Sequence, residues 1–300
     1  MEEGWRGVLC ALYLPGTPHG ISIDRDRWPA VVGALRALCL ELDLAAAGLR
    51  SKGLFAEAVA LEANGALEWG REQAASGKTL TALDEGFPAR WLSVVGHDGS
   101  PAFWKALDAP IPSPRWIAIV GSRNAEPEAQ MFCAAVARQA VAAGYGVVSG
   151  AAVGCDRASL RAAHEAGGNV LSVLPFGIHF HDAGRTPGPA LSACRVEEPF
   201  STARAMERNA LIYSAAHCTV VGSVRFREGG TWHGAVQAMR RKRSALLVRR
   251  PSSDEPEEFR RGAQALVSLG ATYLDAPEAL QSALELSISS ESLFSSLKAG

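Results

Sequence analysis

Ile117-Ala118-Ile119-Val120-Gly121-Ser122-Arg123, followed by Val147-Val148-Ser149-Gly150-Ala151-Ala152-Val153-Gly154-Cys155-Asp156, is the stretch whose reading decides the fold. Each half is an apolar run rich in β-branched residues that ends in a glycine turn and leads into a segment of helical composition. A buried strand that turns directly into a helix leaves backbone N–H groups unpaired at the turn, where the helix dipole adds partial positive charge. Two such turns about 30 residues apart fit consecutive parallel strands sharing one carboxyl edge, the edge where open α/β sheets bind ligands. The expected ligand class is phosphate-bearing: nucleotides or a nucleic-acid backbone.

Outward from that stretch the alternation continues. Strands are expected at 116–120, 146–149, 170–174, 218–222, 245–248 and 271–274, with helices at 128–143, 157–166, 203–214 and 235–241 between them. Short buried strands alternating with helices imply a parallel sheet covered by helices on both faces. Asp156 stands where an N-cap belongs, and Gly167-Gly168 stands at the stop of the same helix. Upstream, 30–75 is rich in Ala, Leu and Glu, with apolar residues at helical spacing: Val32, Leu35, Leu38 and Cys39, then Leu54, Ala58 and Leu61. The expected organisation is a helical N-terminal module (1–77), a proline-broken connector (78–113), an α/β domain (114–285) and a loose serine-rich tail (286–300).

Composition narrows the class. The chain has 300 residues, 48% of them hydrophobic and 20% charged, as in ordinary globular proteins. No apolar run approaches the roughly 18 residues needed to span a bilayer. The start, Met1-Glu2-Glu3, lacks the basic character of a secretion signal, and the six cysteines are scattered singly. These features point to a cytoplasmic protein with reduced thiols and no membrane partner. A net charge of -1 argues against a chain-wide grip on nucleic acid. The charge is uneven, however: ten Arg or Lys residues between Arg204 and Arg250 face only Glu207 and Glu228. Arg240 to Arg243 has two readings, a basic binding face or the solvated last turn of a helix.

Four pieces carry candidate chemistry. Gly121-Ser122-Arg123 offers close backbone approach, a hydroxyl and a guanidinium fork. Ser149-Gly150 with Gly154 repeats the turn at the next strand end. Gly229-Gly230-Thr231 opens a helix and offers further N–H donors. Arg208-Asn209 sits on a helix, where the arginine has two uses: a phosphate contact or an ion pair with Glu197 or Glu198. Trp91, Trp104, Trp116 and Trp232 are candidates for base stacking; Trp116 opens a buried strand, and Trp232 is the one expected to be exposed.

These four pieces in this order resemble the DNA-processing protein A family, also called Smf, whose Rossmann-like core is related to the lysine-decarboxylase-like (LOG) nucleotide-binding fold. The resemblance runs from Leu80 to Leu284, with Thr79 to Pro88 similar to the family's lead-in and Gly262 to Leu280 similar to its closing strand and helix. It implies a Rossmann-like domain that binds single-stranded DNA without catalysis and loads a RecA-type recombinase, with a homodimer as a family habit. It implies no cofactor. By position, Gly121, Ser122, Arg123, Ser149, Gly150, Gly154, Arg208 and Asn209 would line the pocket, Gly229, Gly230 and Thr231 would form its far wall, and Trp232 would stack a base. The chain departs from the family at four places. Phe176-Gly177-Ile178-His179-Phe180-His181 replaces a Tyr-Pro-x-x-Asn element, Ala210 replaces a second basic residue, Cys155 replaces isoleucine, and Trp232-His233 occupies a small-residue helix start. A winged-helix C-terminal domain, found in many members, is not expected.

The alternative within the same superfamily is a nucleotide sensor or a phosphoribohydrolase cleaving nucleoside monophosphates. Arg227-Glu228-Gly229-Gly230-Thr231 keeps only part of the hydrolase turn, and no Glu follows Thr231 within the next helical turn. Glu228, Glu197 and Glu198 are the carboxylates available for acid–base work, each with a plain ion-pair reading. His179, His181, Asp182, His217 and Cys218 lack metal-ligand spacing, so no metal is expected. A scaffold that kept the fold and lost the ligand is the third reading.

Overall fold

The computed structural model describes residues 2–17, 27–37, 42–94, 99–107, 110–112 and 115–286. Leu38 and Cys39 of the helical module and 287–300 of the expected tail lie outside them. In chain order the elements begin with α1 (Glu2–Tyr13), α2 (Trp28–Ala37), α3 (Ala45–Ser51), α4 (Phe55–Glu62), α5 (Ala66–Ala75), β1 (Thr79–Thr81), α6 (Ala89–Val94) and β2 (Ala102–Lys105). The alternating series follows: β3 (Trp116–Gly121), α7 (Pro127–Ala142), β4 (Gly146–Ser149), α8 (Cys155–Glu165), β5 (Val170–Leu174), β6 (Ala190–Ser192) and α9 (Thr202–Ala215). It closes with β7 (Cys218–Ser223), α10 (Gly229–Arg240), β8 (Ala245–Arg249), α11 (Glu257–Ser268) and β9 (Thr272–Leu274).

The chain divides into two compact units. One comprises Met1–Ser113, Leu174–His181 and Pro189–Glu207; the other comprises Pro114–Val173, Asp182–Gly188 and Arg208–Gly300.

In the second unit every neighbouring strand pair is parallel, in the order β5-β4-β3-β7-β8-β9. Numbered within the unit this is 3-2-1-4-5-6, the doubly wound order in which the winding reverses between the first and fourth strands. The reversal falls between β3 and β7. All residues of β3, β4, β5 and β7 are buried, as expected for parallel strands covered on both faces. Small residues set the helix packing. Ala129, Cys133, Val136, Ala137 and Ala140 of α7 meet Leu160 and Ala163 of α8 over Ile117, Ile119, Val147 and Val220. The expected glycine stop of α8 is present: Gly167 has φ +75°, and the Gly168 N–H returns to Ala163 O at 2.9 Å. The expected N-cap is corrected. Gly154 occupies that position and the helix starts at Cys155, so Asp156 is a buried residue of the first helical turn.

The first unit holds the helical N-terminal segment and three strands that periodicity did not suggest. β1 pairs antiparallel with β2 (Leu80 opposite Phe103), and β2 pairs antiparallel with β6 (Trp104 opposite Ser192). These antiparallel pairs add to the parallel set that the sequence predicts. At three or four residues each, these strands are too short for an alternation to register. α1 and α5 cross closely because Gly70 lacks the Cβ that would collide with the Gly7 carbonyl. Phe87, Trp91 and Phe103 form an aromatic cluster, with Trp91 and Phe103 centroids 4.9 Å apart. Trp91 and Trp104 are buried here, as Trp116 is in β3. Among the described residues no helix is long and apolar enough to cross a membrane.

Candidate functional site

The strand order directs attention to the carboxyl ends of β3 and β7, where the winding reverses. Ser122 and Ser223 meet there, the Ser122 N–H donating to Ser223 O at 2.9 Å. The ladder between β3 and β7 shifts register between Val120 and Gly121. Two glycines explain the shift. A Cβ on Gly121 would sit 2.5 Å from Cys155 Sγ, and one on Gly222 would collide with Cys133 Sγ. The two thiols thus fill the space that these glycines leave. Both are buried, and the Cys155 contact together with burial drives the Cys133 thiol well above its ordinary value. A thiol that stays protonated is packing material. Gly121 is accordingly required by the sulfur beneath it, where the sequence suggested an approach for phosphate.

The β4–α8 turn is built around two buried charges. Arg208, on α9, is 7% exposed, and its Nη2 donates to Gly150 O at 3.0 Å. A Cβ on Gly150 would fall inside the Arg208 guanidinium, so this glycine exists to admit the cation. Asp156 is 4% exposed, and its Oδ1 accepts the Gly121 N–H at 3.1 Å. Burial pushes the Asp156 carboxyl up, opposed by the Arg208 cation and by the N–H groups of Gly121, Ala152 and Gly150. Burial likewise lowers Arg208, with Asp156 opposing the shift. Each charge offsets part of the other's desolvation. Arg208 Nε is buried without a hydrogen-bond partner, so the field of Asp156 holds this cation in place of a full set of acceptors.

Gly154 completes the turn. Its φ of +89° is open to glycine, and a Cβ there would lie 2.6 Å from Ser122 O, so the two glycine turns touch. Ala151 is held in the left-handed region at φ +56°, a strained position for a residue with a Cβ. Arg123 projects into solvent beside this contact, near enough to lower the Arg208 affinity for its proton. Ser122 Oγ accepts the Asn124 N–H at 3.3 Å. Ser149 is fully buried and donates to Ile119 O at 2.5 Å, which joins β4 to β3.

The third element joins through Asn209. Its Nδ2 donates to Gly230 O at 3.2 Å, and Tyr213 OH donates to Thr231 O at 3.4 Å, which moors α9 on the first turn of α10. Gly234 makes room for that contact, because a Cβ there would meet Tyr213 Cε2 at 2.9 Å. The Arg208-Asn209 pair thus faces two ways, toward the β4–α8 turn and toward the start of α10. Gly229 differs: it has φ +76° and open space where a Cβ would go.

The structure therefore brings Gly121, Ser122, Arg123, Gly150, Gly154, Arg208, Asn209, Gly230 and Thr231 into one connected edge. It places Ser149 inside the sheet. Trp232 is corrected from exposed to 9% exposed, because its ring packs edge-on against Phe226 at 5.4 Å. The ion-pair reading of Arg208 is replaced by the Gly150 contact, while Glu198 pairs with Arg204 at 2.6 Å. Burial raises the Glu198 carboxyl, but Arg204 and the Arg195 N–H override it and hold the group low. Arg243, read as solvated or basic-face, is 1% exposed. Asp156 is the site residue that sequence reasoning misplaced. Among the described residues no cluster of three His, Cys, Asp or Glu side chains could hold a metal.

Residues 78–285 match the family of the DNA recombination-mediator protein A. The chain belongs to that family. Among solved structures, the DNA processing protein A of Streptococcus pneumoniae is similar with a TM-score of 0.64 and 16% identity, covering 94% of this chain and 97% of that one. The DNA processing protein A of Helicobacter pylori, described for its single-stranded DNA binding mode, has a TM-score of 0.55 and 18% identity, covering 71% of this chain and 97% of that one. No curated protein sequence matches the chain.

Proposed function

We propose that this member of the DNA recombination-mediator protein A family binds single-stranded DNA at the joined glycine turns, and that it does so without catalysis. The observation that carries the reading is the division between two arginines. Arg208 is buried and shapes the β4–α8 turn, while Arg123 stands exposed beside it. An exposed guanidinium next to two strand–helix turns suits a phosphate diester, which needs donors and positive charge but no reacting group. Three of the carboxylates support a non-catalytic reading. Asp156 is engaged by the Gly121 N–H, Glu228 lies 3.1 Å from Arg225 Nη1, and Glu198 is held by Arg204. General acid–base work needs such a group free to meet substrate.

Loading of a RecA-type recombinase, pairing as a homodimer and residence in the cytoplasm belong to the same proposal, as does the helical module at 1–77. The test is binding of labelled oligo-dT at low and rising salt. Binding that weakens as salt rises is expected; absence of binding at low salt contradicts the reading. Release of free base from a nucleoside monophosphate would replace it with the hydrolase alternative.

A further inference from the structure

A second place in the α/β unit combines exposed cations with an aromatic floor. The loop after β7 and the helices α10 and α11 enclose a groove of about 410 Å³ lined by Phe226, Arg227, Trp232, Arg261, Gln264 and Leu269, among others. We propose that this groove is a second nucleotide subsite, taking one base–phosphate unit of a single-stranded nucleic acid or of a free nucleotide. The proposal rests on the single-stranded DNA reading and adds a site that the glycine-turn edge does not contain.

Its cations are arranged for an anion. Arg227 and Arg261 both stack on the Phe226 ring, at 5.0 and 4.8 Å from its centroid. Stacking uses the guanidinium face and leaves the in-plane N–H donors for a ligand. The neighbouring Arg225 is committed otherwise, 3.1 Å from Glu228 and 3.9 Å from Glu258. Arg261 meets Glu257 only at 3.8 Å on an exposed helix face, and exposed pairs of that kind contribute little. Arg225, Arg227 and Arg261 are thus balanced by Glu228, Glu257 and Glu258, and the anion preference of the groove rests on Arg227, which has no carboxylate within ion-pair distance among the described residues.

The frame is rigid. A Cβ on Gly262 would collide with Val224 O, so α11 presses directly on the loop, and the Phe226 N–H donates to Glu258 O at 3.0 Å. Arg227 itself is held at φ +59°, a conformation strained for a residue with a Cβ that persists only under such restraint. Trp232 lies edge-on beneath Phe226 and forms the floor, while Leu269 is left 56% exposed at the wall. Gln264 and Ser268, one helical turn apart and exposed, supply polar atoms for a base edge. The volume lies within the small-ligand range of roughly 300–1,000 Å³.

The experiment uses the full chain, an Arg227→Ala/Arg261→Ala double variant and Arg123→Ala. An oligo-dT of about 20 nucleotides carrying 5-iodo-deoxyuridine is irradiated and the cross-links are mapped by mass spectrometry; affinity is measured across salt. Expected are cross-links to the peptide holding Trp232 and an affinity lowered about tenfold in the double variant, with a smaller salt slope. Both substituted residues are exposed, so the unfolding midpoint is expected to stay near that of the parent chain. Unchanged affinity in the double variant, with cross-links confined to 121–123 and 150–154, overturns the second subsite and leaves the primary reading intact. No binding by the parent chain overturns the primary reading itself. Displacement of the oligonucleotide by an acidic peptide, with no cross-link in the groove, assigns the groove to a protein and also overturns the subsite. Free dTMP separates the two sources of ligand. A tryptophan-resonance shift in the parent chain that the double variant loses shows that a free nucleotide suffices; cross-links without that shift show that the unit must belong to a strand.

Discussion

The β4–α8 turn and the β7–α10 turn look alike as sequence, yet they are held for different reasons. Gly150 is a hole for a guanidinium: any side chain there displaces Arg208. Gly229 faces open space and is a glycine for its backbone angle, φ +76°. The first turn is welded by buried charge, Asp156 on Gly121 and Arg208 on Gly150. The second is moored by neutral hydrogen bonds from Asn209 and Tyr213. Glycine in a strand–helix turn therefore does not by itself mean approach of a phosphate. In this molecule it more often makes room for a protein group.

The contrast can be broken by substitution. Arg208→Met removes the cation and leaves Asp156 buried without its counter-charge, which costs about 3–5 kcal/mol in urea unfolding. An unchanged midpoint would show that the charge pair does not hold the turn. Gly150→Ala forces the guanidinium aside at a cost of about 1–3 kcal/mol, whereas Gly229→Ala carries only backbone strain, about 1 kcal/mol. Equal losses would erase the distinction between the turns. Asn209→Ala removes one neutral hydrogen bond and costs about 1 kcal/mol.

A pH series sharpens the same point. Because the folded-state value of Asp156 lies above its unfolded one, the folded chain binds this proton more tightly. The contribution is favourable at low pH and declines as pH rises from about 4, the ordinary aspartate value, through the raised folded-state value. The stability of the parent chain relative to Asp156→Asn is expected to fall over that interval. A relative stability that rises with pH would place the folded-state value below the ordinary one.

Much of the α/β unit was legible because buried parallel strands leave long β-branched runs, and glycine marks where they end. Ile117 to Val120 and Val147 to Val148 carry that signal directly. The antiparallel strands at Thr79–Thr81, Ala102–Lys105 and Ala190–Ser192 were not legible, since their pairing depends on partners distant in the chain. Residue types at the site were legible, but side-chain direction was not. Asp156 has the composition of an N-cap and the position of a buried anchor, and that difference is set by Gly154 turning two residues earlier. Trp232 misled for a related reason: nothing in the local sequence tells which face of α10 meets Phe226.

The central claim is the division of labour between Arg123 and Arg208, and the salt dependence of oligo-dT binding tests it most directly. Arg123→Ala is expected to lower the slope of log affinity against log salt by about 0.7, the value for one phosphate contact on a single strand. Arg208→Lys keeps the buried charge and is expected to leave the slope unchanged, even where it weakens binding through a loosened turn. A slope that falls with Arg208→Lys and holds with Arg123→Ala would contradict the account, making the buried arginine the phosphate ligand and the exposed one a bystander.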